Sequence, residues 1–169
     1  GTIRQRGLIG MAIKYYWEDF NTVGNTAAIG TRVVDKAEVI AFATDFDPQP
    51  FHIDEAAANE SFYGGIIASG WHTCAMVMRM MVDEYLGEAA SLGSPGIDNL
   101  KWVKPVRPGD TIRVTRTTLE ARASQSKPDV GLIKNHWQVY NQHNELVMSM
   151  EGWGMFRRRN LGAASPLLR

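Results

Sequence analysis

Residues 67–86 are the segment that most restricts how this chain can fold. Apolar side chains recur there at the three- and four-residue spacing of an α-helix, which predicts one long helix. Its broad apolar face carries eight residues: Ile67, Trp71, Cys74, Ala75, Met78, Met81, Val82 and Tyr85. A narrower polar stripe carries four others: Ser69, His72, Arg79 and Asp83. An apolar surface this wide predicts a helix that is covered on several sides.

Shorter elements are predicted before and after this helix. A strand over 27–35 is followed by a helix that begins after Asp35 and ends before Pro48, and a short helix begins after Asp54. Beyond residue 95 the alternation of apolar and polar residues predicts four strands, within 96–105, 110–122, 131–141 and 145–156. This order predicts an α+β fold, in which a curled antiparallel sheet surrounds one central helix.

Length and composition indicate a single globular domain. The chain has 169 residues without a repeat of the kind that builds solenoids. Its 18 basic residues equal its 18 acidic residues, so net charge does not favour nucleic acid or an anionic membrane as a partner. No apolar stretch reaches the roughly 18–20 residues of a membrane helix, and no signal-peptide pattern is present. We therefore expect a cytoplasmic protein that binds neither nucleic acid nor membrane.

The two ends of the sequence differ from its middle. Residues 11–157 are predicted to form the domain, and 1–10 precede Met11 as an extension that is a candidate non-native remnant. Residues 158–169 form a basic C-terminal tail, which is expected to be solvated, with a contact to ligand phosphates as the alternative. Cys74 is the only cysteine, which excludes an intrachain disulfide, and its apolar neighbours favour a buried structural thiol over a nucleophile.

The stretch DFDPQPFHIDEA, residues 45–56, carries the candidate chemistry. Its prolines, Pro48 and Pro50, exclude a regular helix or a central strand and restrict the loop between Asp47 and His52. A carboxylate accepts a proton and an imidazole changes charge near neutral pH, so such a pair in fixed relation is suited to activating water. The alternative is a helix terminus with a surface histidine.

A second candidate group lies at the start of the long helix, in GGIIASGWHT, residues 64–73. The first turn of a helix has unpaired N–H groups and the positive end of the helix dipole. The N–H of Gly70 could therefore stabilise an oxygen that gains negative charge, as a thioester carbonyl does when it becomes an enolate. A glycine also lets a substrate approach the backbone closely. Together the loop and the helix start predict proton chemistry alpha to a carbonyl.

The two motifs together resemble the MaoC-like dehydratases, the (R)-specific enoyl-CoA hydratase branch of the hot-dog fold. The matching positions are Asp47, Pro50, His52, Gly65, Ile67, Ala68 and Gly70. The run LKWVKPVRPGD, residues 100–110, also resembles the family, and the resemblance covers about residues 30–155. Two positions depart from the family pattern: Gln49 stands where asparagine is frequent, and Ser69 replaces a common histidine.

The resemblance implies a single hot-dog domain that hydrates a trans-2-enoyl-CoA to the (R)-3-hydroxyacyl-CoA. It implies that Asp47 and His52 hold the water, with Asp47 as general base, while the Gly70 N–H polarises the thioester oxygen. The residues expected to bind substrate are Pro50, Gly65, Ile67, Ala68, Ser69 and Trp71. No metal and no cofactor are expected, CoA being part of the substrate. The resemblance also implies a homodimer or higher homo-oligomer.

Other residues and functions have plainer interpretations. Capping or solvation is expected for Asp45 and Asp54, a structural or interfacial role for His72, and exposure for His136 and His143. Four tryptophans are expected to pack in the core, with the lining of an acyl pocket as the alternative: Trp71, Trp102, Trp137 and Trp153. The rival functions are an acyl-CoA thioesterase of the hot-dog fold and a non-catalytic domain that binds acyl-CoA or a partner.

Overall fold

The computed structural model describes residues 12–159, which contain one five-stranded antiparallel sheet. The strands are β1 (Thr26–Val33), β2 (Ser91–Trp102), β3 (Thr111–Ala123), β4 (Val130–Tyr140) and β5 (Leu146–Arg157). Their order in the sheet is β1-β3-β4-β5-β2, and every neighbouring pair is antiparallel. The last three strands are therefore joined as consecutive hairpins, whereas β1 and β2 form the two edges.

Four α-helices lie between the two edge strands: α1 (Lys36–Phe46), α2 (Pro50–Ile53), α3 (Glu55–Glu60) and α4 (Gly70–Glu84). The capping roles predicted from sequence are confirmed, because Asp35 accepts the Glu38 N–H and Asp54 accepts the Ala57 N–H. Pro50 occupies the first position of α2, where its missing N–H would have no helical partner. The short helices α2 and α3 thus lead the chain from α1 to the start of α4.

The core lies between α4 and the sheet. Alternate side chains of β3 and β4 are buried, as their sequence alternation predicted, and they pack with one side of α4 in one cluster. Members of this cluster with almost no exposure include Val77, Ile112, Val114, Ile133 and Val139. A curled antiparallel sheet packed on one long helix is the hot-dog architecture, so the predicted fold class is confirmed. None of the described helices is both long and apolar enough to cross a membrane.

The predicted orientation of α4 is wrong in part. Trp71, Met78 and Val82 were assigned to the covered face, but they are 60%, 49% and 38% exposed. His72 and Ser69, which were assigned to a polar stripe, are buried instead. The ring of His72 stacks on Phe42 of α1, with centroids 4.7 Å apart, so α1 covers this side of the helix. The side chains that α4 turns inward are His72, Thr73, Met76, Val77, Met80 and Met81.

Strand β2 begins earlier than the sequence predicted. It includes Pro95, which a central strand would not tolerate, because proline cannot donate to the hydrogen-bond ladder. Among residues 12–159, β2 pairs only with β5, and its register shifts three times along the pairing. All of its residues except the half-buried Leu100 are exposed. An irregular edge strand explains why its first half shows no clear alternation.

Part of the basic tail lies among the described residues. Arg159 forms an ion pair with Asp19, with Nη2 and Oδ2 2.8 Å apart, and its backbone N–H donates to Glu18. Arg158 donates to the carbonyls of Asp129 and Pro128 through its backbone and its guanidinium. The start of the tail is therefore attached to the domain. Residues 160–169 and the predicted extension 1–10 lie outside the described residues.

Candidate active site

A short bend between α1 and α2 fixes the positions of Asp47 and His52. Asp47 follows the last residue of α1 and donates its backbone N–H to the Ala43 carbonyl. Gln49 then links the two candidate residues: its N–H donates to the Asp47 carbonyl at 2.8 Å, and its own carbonyl accepts the His52 N–H at 2.9 Å. Because proline fixes φ at the two flanking positions, the bend has little conformational freedom. The predicted loop is therefore shorter than expected: residues 47–49 form the bend, whereas Pro50 begins the short helix α2 that contains His52.

The His52 side chain is buried and is held from two sides. Its Nδ1 lies 2.7 Å from the carbonyl oxygen of Ile67, and its Nε2 lies 3.2 Å from Asp47 Oδ2. Because a carbonyl oxygen only accepts hydrogen bonds, Nδ1 must carry a proton. Nε2 therefore faces Asp47, and it is the ring nitrogen that can take up or release a proton on that side. The edge of the Phe51 ring also contacts the imidazole, with centroids 4.5 Å apart.

Two further donors stabilise the Asp47 carboxylate. Gln49 Nε2 donates to Oδ1 at 2.7 Å, and Ser69 Oγ donates to Oδ2 at 2.8 Å. Partial burial acts to raise the pKa of Asp47, but these two hydrogen bonds and the neighbouring His52 outweigh it and lower the pKa below its ordinary value. Asp47 is therefore an ionised acceptor at neutral pH. The two departures from the family pattern, Gln49 and Ser69, both act on this carboxylate.

Ser69 also forms the N-terminal boundary of α4. It precedes Gly70, the first residue of the helix, and its carbonyl accepts the N–H groups of His72 and Thr73 at 2.9 and 3.1 Å. The N–H of Gly70 belongs to the Ser69–Gly70 peptide, in the first turn, where N–H groups lack an intrahelical acceptor. Since the Ser69 hydroxyl donates to Asp47, the Asp47 carboxylate and this amide are both bonded to the same residue.

Gly70 is required here for a reason that the sequence did not reveal. The indole of Trp102, at the end of β2, packs on its Cα, and Trp102 Nε1 donates to the Gly70 carbonyl at 3.1 Å. A Cβ added at Gly70 would lie 2.3 Å from Trp102 Cε2, far closer than a Cβ contact allows. The prediction was that glycine lets the substrate approach. The structure adds that glycine lets an indole approach.

A cavity of about 550 Å³ opens beside this constellation. It brings together seven of the nine predicted site residues: Asp47, His52, Ile67, Ala68, Ser69, Gly70 and Trp71. Pro50 and Gly65 are not among its lining residues. Pro50 instead begins the helix that carries His52, and Gly65 lies beside Arg107, whose Nη1 would be 3.4 Å from an added Cβ. That these two residues bind substrate stays a prediction.

Two walls of the cavity were not assigned from the sequence, apart from Trp102, for which an acyl pocket and core packing were both considered. One is aromatic and comes from α2 and the segment before α4, namely Phe51, Phe62 and Tyr63. The other is the end of β2 and the chain that follows it, namely Trp102, Val103, Lys104, Pro105 and Val106. The second wall lies inside the run that resembles the family. Its position beside α4 follows from long-range pairing of β2 with β5, which local sequence does not specify.

The remaining candidate residues lie elsewhere. His72 is buried against α1, His136 is half-buried on β4, and His143 is exposed in the following turn. Trp137 belongs to the core, and Trp153 lies under the Arg122 guanidinium. The thiol of Cys74 is half-buried near Met148, and burial raises its pKa. Within residues 12–159, no three His, Cys, Asp or Glu side chains converge as metal ligands would.

Comparison with known proteins identifies the family of this site. The family described as MaoC like domain matches residues 21–138, which include the bend, the start of α4 and most of the sheet. The chain belongs to the MaoC-like domain family. The crystal structure of the MaoC-like dehydratase from Rhodospirillum rubrum is 38% identical and superposes with a TM-score of 0.79, covering 86% of this chain and 99% of that one.

Two curated relatives extend this comparison. YdeM of Bacillus subtilis is 28% identical over 131 residues, 77% of this chain and 91% of its own length. The mesaconyl-CoA hydratase of Cereibacter sphaeroides is 33% identical over 66 residues, 39% of this chain but only 19% of that protein. At the coarse level, membership of the MaoC-like family supports a hydratase or dehydratase.

Proposed function

We propose that this MaoC-like domain is a hydro-lyase that acts on acyl-CoA thioesters. Its reaction is the reversible hydration of a trans-2-enoyl-CoA to the (R)-3-hydroxyacyl-CoA. The observation that carries the proposal is the position of Asp47. Its carboxylate receives hydrogen bonds from Gln49 and Ser69, lies 3.2 Å from His52 Nε2, and opens into the same cavity as Gly70.

Each step of the reaction has a group to perform it. A water molecule in the cavity that hydrogen-bonds to both the Asp47 carboxylate and His52 Nε2 gives a proton to the carboxylate as its oxygen attacks C3 of the substrate. The double-bond electrons move onto the thioester oxygen, where the Gly70 N–H and the helix dipole stabilise the negative charge. The proton held by the Asp47–His52 pair is then transferred to C2. The hydroxyl group of the water is thereby added to C3 and its proton to C2. Dehydration is the same sequence in reverse.

The assay is the loss of enoyl-thioester absorbance with crotonyl-CoA and with longer or branched analogues. Asp47→Asn and His52→Ala should each lower turnover at least ~100-fold, because general acid–base catalysis contributes about 10²–10⁴. His52 is buried and hydrogen-bonded, and ionised Asp47 stabilises the fold, so both variants should also lose some stability, and circular dichroism must show that they are folded at the assay temperature. Asp45→Asn and His143→Ala are matched controls, since both residues are exposed and neither lines the cavity. Full activity of either site variant would exclude this mechanism.

The same experiment separates the rival functions. Release of free CoA, followed with a thiol reagent, would indicate a thioesterase, in which the water attacks C1 instead of C3. Binding of acyl-CoA without turnover across the panel would indicate a binding domain. The proposal includes no metal and no cofactor, because Asp47, His52 and Gly70 supply every group that the proton transfers need. Activity should therefore survive dialysis against EDTA.

The proposal includes a homodimer, and a cytoplasmic location. Edge strand β2 leaves one side of its backbone unpaired within the described sheet, and Ile97 on it is 47% exposed. The exposed side of α4 adjoins this strand, because Trp71 and Trp102 are in contact. Ile97→Lys should therefore lower the mass measured by light scattering to that of a monomer. Val33→Lys, at an exposed apolar position of the other edge strand, is the control and should leave the mass unchanged.

A further inference from the structure

Trp102 has an unusual position for a residue of an edge strand. It is the last residue of β2, yet its ring reaches across to the first turn of α4. Three of its ring atoms, Cε2, Cδ2 and Nε1, lie 2.3–2.7 Å from the place that a Cβ on Gly70 would occupy. The indole thus covers the Cα of the residue whose N–H we assign to the thioester oxygen.

A second ring holds this indole in place. Trp71 contacts Trp102 edge-on, with centroids 5.1 Å apart and planes at 80°, and both rings line the cavity. Trp102 is 46% exposed and does not belong to the core cluster formed by the described residues. Its indole donates to the Gly70 carbonyl and contacts the Trp71 ring, both at the start of α4, and its backbone is paired opposite Met148 of β5. Its bulk therefore shapes the cavity, whereas burial in the core explains little of its presence.

The position of the Trp102 indole determines which part of a bound substrate it would contact. A thioester oxygen bound by the Gly70 N–H would lie about 2.9 Å from that nitrogen. The carbons C1 and C2 would then lie next to Gly70, and so next to the indole that covers its Cα. The far end of the acyl chain would be directed elsewhere in the cavity. The indole at this place would contact substituents on C2 and would not contact the far end of the acyl chain.

We propose that Trp102 is a specificity-determining residue that limits the space for substituents on C2 of the acyl group. The inference rests on the proposed function for the placement of the thioester. A single methyl group in a hydrophobic site changes selectivity by about 10–200-fold. Removing the indole should therefore raise the relative activity toward 2-methyl thioesters by at least ~10-fold. The selectivity for chain length should change little.

The test compares kcat/KM for three thioesters: crotonyl-CoA, 2-methylcrotonyl-CoA and trans-2-octenoyl-CoA. In Trp102→Ala, the ratio of 2-methylcrotonyl to crotonyl should rise at least ~10-fold, while the ratio of octenoyl to crotonyl stays close to that of the wild type. Trp102→Phe, which retains an aromatic ring, should give a smaller rise and serves as the second variant if the alanine variant does not fold. Trp153→Ala, outside the cavity, should change neither ratio.

Binding separates failure of this inference from failure of the proposed function. Butyryl-CoA and 2-methylbutyryl-CoA differ only by a methyl group on C2, and neither can be hydrated. Calorimetric Kd values should show the 2-methylbutyryl-to-butyryl affinity ratio rising in Trp102→Ala. If the wild type has no hydratase activity but the affinity ratio rises in Trp102→Ala, the proposed reaction is wrong and the inference about Trp102 is supported. If both ratios of the Trp102 variants equal those of the wild type, or if selectivity for chain length changes instead, the inference is overturned.

Discussion

Replacing Gly70 by alanine tests whether contact with Trp102 is what requires a glycine at the start of α4. The added Cβ would lie 2.3, 2.6 and 2.7 Å from three atoms of the indole, so the ring has to move. Because Trp102 is 46% exposed, it can move toward solvent. In doing so it would lose its hydrogen bond to the Gly70 carbonyl and its edge contact with Trp71.

The expected loss of stability follows from these two contacts. A net hydrogen bond contributes about 0.5–1.5 kcal/mol, and an aromatic pair contributes about 0.5–1.5 kcal/mol beyond its buried area. Alanine favours a helix over glycine by up to about 1 kcal/mol. The free energy of unfolding should therefore fall by about 1–2 kcal/mol in Gly70→Ala. At about 2–4 °C per kcal/mol for a chain of this size, Tm should fall by roughly 2–8 °C.

A double-mutant cycle provides the assay. Thermal unfolding of the wild type, Gly70→Ala, Trp102→Ala and the double variant isolates the interaction between the two positions. In the Trp102→Ala background the obstacle is gone, so Gly70→Ala should raise Tm instead of lowering it. Gly96→Ala, which has open space around the added Cβ, is the control and should leave Tm nearly unchanged. An equal fall of Tm in both backgrounds would refute the reasoning.

Three other predictions concern the Ser69 hydrogen bond, the ionisation of Asp47 and a second glycine. Ser69→Ala removes a donor that lowers the pKa of Asp47, so the acid limb of the kcat/KM profile should move to higher pH. The same lowered pKa affects stability. Ionised Asp47 stabilises the fold fully above pH 3.8, the ordinary pKa of this carboxyl group, and the stabilisation is lost as the pH falls through the lower pKa that Asp47 has in the folded protein. Gly131→Ala would place a Cβ 2.2 Å from Trp17 Cγ, and overpacking of this kind costs about 1–3 kcal/mol. Calorimetry should show a lower Tm for Gly131→Ala, with hydratase activity unchanged at 25 °C because neither residue lines the cavity.

The parts of this molecule that sequence could predict are the ones that local physics decides. Asp35 and Asp54 cap their helices because a short polar side chain can accept the N–H three residues ahead. The bend between Asp47 and His52 is predictable for a similar reason, since prolines restrict φ within a few residues. Hydrogen bonds between Gln49 and both candidate residues then complete a structure that spans only six positions.

The parts that sequence could not predict depend on contacts between distant segments. α4 is apolar around most of its circumference, so periodicity alone offers two candidate inner faces. Packing of α1 on His72 selects one of them and leaves Trp71 and Met78 exposed. Trp102 and Gly70 are 32 residues apart, and they meet because β2 pairs with β5 at the edge of the sheet beside α4. No short motif encodes either choice.

The lowered pKa of Asp47 bears on how such a site could accelerate hydration. A carboxylate stabilised by Gln49 and Ser69 is a weaker base than a free aspartate, so base strength alone does not explain the use of these donors. Their contribution is position. The Ser69 side chain donates to Asp47 Oδ2, and the next peptide bond supplies the Gly70 N–H, so one residue sets the distance between the proposed base and the amide that we propose faces the thioester oxygen. A shift of about 1 Å in such groups can cost on the order of 100-fold in rate. Ser69→Ala should therefore lower kcat even at pH values where Asp47 is fully ionised, and a wild-type kcat on that plateau would show that the serine only tunes the pKa.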